Sequence, residues 1–89
     1  MKKVDFIKLI SKHAISVKEK NTNNGWGFGG GVYKLYKLPN DMTVRIGTWY
    51  YRHMPPDKMV SLLTPEQYLY DGLQTTKAYD RIVKLLNLQ

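Results

Sequence analysis

Val4, Phe6, Ile7, Leu9 and Ile10 recur at three- and four-residue spacing, with Lys8, Lys12 and Asp5 between and around them. This period predicts a helix over residues 3–13, with Asp5 in the first turn where a carboxylate meets the helix dipole. Ile15-Ser16-Val17-Lys18-Glu19-Lys20 then alternates, with β-branched residues at 15 and 17. The segment reads either as a strand near 14–20 or as the frayed continuation of the helix. Asn21-Thr22-Asn23-Asn24 and a run of glycines form the clearest loop, over 21–31.

Two alternating runs follow, 32–38 and 42–51, separated by Pro39-Asn40-Asp41, and they read as a hairpin. Its register decides which side chains share a face, because a slip of one residue exchanges the faces. The favoured register sets Leu38 opposite Thr43. It puts Leu35, Tyr33, Val44 and Ile46 on the core side, and Val32, Lys34, Tyr36, Arg45 and Trp49 on the other. The competing register sets Leu38 opposite Met42, takes Tyr36 inside with Val44 and Ile46, and brings Leu35 out beside Arg45.

Pro55-Pro56 ends the sheet pattern, since proline cannot donate to a ladder and restricts the residue before it. Asp57 is suited to cap a short helix over 58–63. Thr64-Pro65-Glu66-Gln67 has the form of a capping box with proline in the first helical position, and predicts a second short helix to about residue 70, stopped by Asp71-Gly72. Thr75 or Thr76 caps a last helix whose apolar stripe is Ala78, Tyr79, Ile82, Val83 and Leu86.

Strands followed by helices specify an α+β domain over residues 1–89. The expected architecture is a small antiparallel sheet of two or three strands, hairpin 32–38/42–51 and the segment near 14–20, packed on one face by an N-terminal helix and C-terminal helices. The helix–strands–helix order is similar to that of the double-stranded-RNA-binding fold and of small toxin ribonucleases of the HicA type. That toxin's glycine-serine-histidine signature on the second strand is missing, for neither 32–38 nor 42–51 contains a histidine.

Composition narrows the chemistry. The chain has 89 residues, 43% hydrophobic and 24% charged, which suits one folded domain with a modest core. It has no cysteine, so disulfides, thiolate zinc sites and cysteine nucleophiles are excluded. With two histidines, no H-x-x-x-H and no clustered carboxylates, no metal is expected, and no cofactor. Polar residues interrupt the N-terminal apolar positions, and no run approaches a membrane span, so a cytoplasmic protein is expected. Fourteen Lys and Arg against seven Asp and Glu give a net charge of +7, which favours a polyanion or an acidic protein as partner.

Residues 25–32, GWGFGGGV, spell G-x-G-x-x-G-x-V. A dinucleotide fingerprint needs a strand before and a helix after the glycines, and here a strand-like run follows. No Gly-Lys-Ser/Thr makes a phosphate loop, and neither His-Arg-Asp nor Asp-Phe-Gly supports a kinase reading. What remains is a glycine-rich loop carrying Trp26 and Phe28, either a lid over the sheet or a contact for a partner.

In the favoured register Lys34, Tyr36, Arg45 and Trp49 share one face, with Arg52 just beyond. Rings interleaved with cations suit single-stranded nucleic acid, where rings stack on bases and cations meet phosphates. The first functional expectation is therefore a small non-enzymatic protein contacting nucleic acid through Trp26, Phe28, Lys34, Tyr36, Arg45, Trp49 and Arg52. The second is a protein-interaction module, an inhibitor, accessory factor or homodimer, using Trp26 and Phe28. A remote third is a small nuclease using His13 or His53.

Overall fold

The computed structural model describes residues 1–22, 30–51 and 53–87. In chain order these form α1 (Lys3–His13), β1 (Ser16–Asn21), β2 (Gly31–Lys37), a short turn of 3-10 helix (Pro39–Asp41), β3 (Thr43–Trp49), β4 (Asp57–Leu63), β5 (Tyr68–Leu73) and α2 (Thr76–Leu86). The strands make one antiparallel sheet in the order β1-β2-β3-β4-β5, so each pairs with its neighbour in sequence. The architecture is α+β, with a larger sheet than the pattern suggested. The helix over 3–13, the strand at the alternating segment and the Thr75-capped final helix all form.

Residues 58–63 and 65–70, expected as short helices, lie instead in or beside β4 and β5. The Thr64 signal is real but serves a hairpin. Its Oγ1 accepts from the amides of Glu66 (3.3 Å) and Gln67 (3.1 Å), while its own amide donates to the Gln67 carbonyl at 2.8 Å. The two bonds to the hydroxyl are those a helix cap would make; the bond from the Thr64 amide to the Gln67 carbonyl is that of a hairpin turn. Val60 and Leu62 are buried on one side of β4; on the other, Met59 and Leu63 are only partly covered and Ser61 between them is fully buried.

The β2–β3 register corrects the favoured one. Lys37 pairs with Thr43, Tyr36 with Val44 and Leu35 with Arg45. The turn sets this alignment: Asn40 and Asp41 both take left-handed backbone angles (φ 67° and 60°), and the Leu38 amide donates to the Met42 carbonyl at 2.8 Å. The core rewards it, since Tyr36 then joins Val44, Ile46, Val60 and Leu62 under the helices.

Both helices lie on that face. α1 contributes Phe6 and Ile10, and α2 contributes Ala78, Tyr79 and Ile82. The rings of Phe6 and Tyr79 stack with centroids 4.6 Å apart, tying the helices together. Thr75 caps α2 by accepting from the Ala78 amide at 3.1 Å, which satisfies one of the free amides of the first turn. β1 is exposed along its whole length; its Lys18, Glu19 and Lys20 put charges on a free sheet edge, where they discourage edge-to-edge association.

Candidate functional site

Directly paired residues of an antiparallel sheet point to the same side. The register therefore fixes the composition of the face opposite the helices. It runs in rows across the sheet: Ser16, Lys37, Thr43, Leu63 and Tyr68; then Lys18, Leu35, Arg45, Ser61 and Asp71; then Lys20, Tyr33, Gly47, Met59 and Leu73; then Gly31, Trp49 and Asp57. No described helix covers this face.

Arg45 stands at its centre. Its guanidinium carbon lies 5.0 Å from the ring centre of Trp49, 5.3 Å from that of Tyr68 and 5.9 Å from that of Tyr33, within cation–π range of all three. Tyr33 and Trp49 stack on each other, with centroids 5.2 Å apart and planes 8° from parallel. Gly47 makes this possible, for Tyr33 packs across the space that a side chain there would fill. Among the described residues Arg45 has no acidic partner, and its Nε is buried without a hydrogen bond. The carboxylate in the same row, Asp71, is engaged by the hydroxyl of Ser61 at 2.5 Å.

Two depressions flank the arginine. One, of about 430 Å³, lies toward the start of β3 between Tyr33, Leu35, Lys37, Asp41, Thr43 and Leu63. The other, of about 160 Å³, lies toward its end beside Trp49, Tyr51, Met59 and Asp71. A hydrogen bond to Asp57, with some desolvation and the adjacent negative charge, raises the Tyr51 pKa above its ordinary value. Charge across the face is uneven. Lys18, Lys20 and Lys37 lie on the β1–β2 flank, and Asp57 and Asp71 on the β4–β5 flank.

Of the residues expected to share one face, the structure keeps Arg45 and Trp49 together and separates the other two. Tyr36 is 5% exposed in the core, and Lys34 points to the helix side between Glu19 and Ile46. The physical reason is the one-residue change of register. Lys34 instead lines a helix-side hollow of about 270 Å³ with Lys3, Glu19 and Gln74. Trp26, Phe28 and Arg52 lie outside the described residues. Tyr33, Lys37 and Leu35 join the face because of the register, and Tyr68 because its segment is a strand; the sequence signal for the first three was the competing register.

His13 sits against the turn before β3, beside Leu38 and Met42, and His53 follows the far end of that strand. The seven residues of β3 put roughly 20 Å between those ends, so the two histidines form no pair. No group of three or more metal-ligating side chains occurs among the described residues, and no described helix is long and apolar enough to cross a membrane. No protein-family model matches the chain, and no curated protein or solved structure matches it.

Proposed function

We propose that this protein binds single-stranded nucleic acid on the open face of its sheet. The observation that carries the reading is the uncovered cluster of Tyr33, Trp49 and Tyr68 around an arginine with no acidic partner, with lysines along one flank. Rings on a broad sheet reach the faces of unstacked bases, which a duplex keeps hidden, while the cations meet the phosphates. The net charge of +7 adds long-range attraction to the polyanion. Nothing in this reading calls for catalysis.

The test is a tryptophan fluorescence titration with single-stranded and duplex oligonucleotides at two salt concentrations, with heparin as a generic polyanion. Quenching by single strands that exceeds the heparin response and weakens with salt supports the proposal. A response to heparin equal to that of the oligonucleotides reduces it to bulk electrostatics. No response to any nucleic acid refutes it and leaves protein contact as the reading, for which the exposed Tyr68 and Leu73 would be the anchors.

A further inference from the structure

Arg45 is held by aromatic rings where most partly covered arginines are held by acids. Three ring faces fix the guanidinium, its Nε has no partner, and none of the described carboxylates forms an ion pair with it. Placing a cation in partly desolvated surroundings without an anion is costly unless an anion arrives from outside. Arg45 also lines two depressions, one toward each end of β3.

We infer that Arg45 is the seat of one phosphodiester group, and that the nucleotides on either side of that phosphate occupy the two depressions. The inference rests on the nucleic-acid reading above and makes it local: the repeating unit recognised is a base–phosphate–base step of a single strand. The terminal nitrogens of the guanidinium offer a planar fork to two phosphate oxygens, a geometry that an ammonium group does not provide. Trp49 and Tyr33 form the aromatic boundary on which a flanking base stacks, and Lys37 lies beside the larger depression to meet the next phosphate. The acidic β4–β5 flank directs the backbone of the strand toward β1 and β2.

Two measurements test this. In the first, a labelled single-stranded decamer is titrated by anisotropy at several salt concentrations. Arg45→Gln is expected to weaken binding by about tenfold or more and to lower the salt slope by about 0.7, the increment of one phosphate contact on a single strand. Arg45→Lys is expected to keep the slope and still lose affinity, because it keeps the charge and loses the fork. Equal binding by wild type and Arg45→Gln would overturn the phosphate seat while leaving the nucleic-acid function standing. Failure of the wild type to bind the decamer would remove both.

The second measurement needs no variant and decides the matter if Arg45→Gln does not fold. The Nε–H resonance of Arg45 is followed by NMR while thymidylyl-thymidine, its uncharged methylphosphonate analogue or inorganic phosphate is added. A saturating shift with the charged dinucleotide, absent with the analogue and weaker with inorganic phosphate, supports the inference. Equal shifts with the charged and uncharged dinucleotides, or no shift with either, would refute it.

Discussion

A Cβ at Gly47 would stand 2.6 Å from the Cα of Tyr33 and would also collide with the Tyr33 Cβ and the Val32 carbonyl oxygen. Neither backbone atom can move without breaking the β2–β3 ladder. Gly47→Ala should therefore cost about 2–3 kcal/mol, read as a fall in melting temperature of roughly 10–20 °C. The near-ultraviolet circular dichroism of the Tyr33–Trp49 stack should weaken with it. Tyr79 carries the opposite lesson, a polar group tolerated in the core. Its ring is 3% exposed, and burial pushes its pKa above the ordinary value of 10.0. The folded state favours the neutral phenol, so this contribution to stability is complete below pH 10 and is lost as pH rises through the elevated pKa. Urea melts at pH 9 and pH 11 should show wild type losing more stability than Tyr79→Phe. Of these two residues, Tyr79 was legible from its helical stripe. Gly47 was not, because a close backbone approach depends on which strand lies alongside.

Among the elements, the two helices were legible because each carries its own instructions: an apolar period of 3.6 and, for α2, a threonine cap. Thr75→Ala should cost about 1 kcal/mol, since the Ala78 amide then loses its acceptor; thermal melting checks it, with a parallel loss of helical signal. The hairpin was legible from alternation and its turn residues, but its register was not, because two alignments buried comparable sets of apolar side chains. The left-handed pair Asn40 and Asp41 and the fit of Tyr36 beneath Phe6 and Ile10 separated them. β5 was misread because Thr64-Pro65-Glu66-Gln67 makes the same side-chain hydrogen bonds in a turn as in a helix start, and β4 because Asp57 after two prolines reads as a cap. A six-residue apolar segment has no period long enough to overrule such a signal. Its ladder partners lie on another segment, Val60 pairing with Ile46 and Leu62 with Val44.

For the molecule as a whole, charge alone and charge on a particular face make different predictions. Replacing Lys18, Lys20 and Lys37 with glutamine removes the lysines of the open face and leaves Arg45. Replacing Lys8, Lys12 and Lys84 removes as many from the helix layer. If the open sheet face is the interface, the first triple should weaken single-strand binding by about tenfold more than the second at matched salt. Equal losses would indicate attraction by net charge only. The candidate site was legible in kind and partly in residues. The excess of cations, the aromatic richness, Arg45 and Trp49 could all be read along the chain, whereas the companions of Arg45 could not. Sequence by itself determined the α+β class, both helices with their buried stripes, the hairpin and the basic character, because these rest on local periodicity, on turn and cap chemistry, and on summed charge; the segment near 14–20 it left open between strand and frayed helix, and pairing with β2 made it a strand. Only the tertiary structure decided the register, the strand identity of 57–73 and the gathering of Tyr33, Trp49 and Tyr68 around Arg45. Each of these depends on which distant strand a residue faces, and burial of a shared core makes that choice.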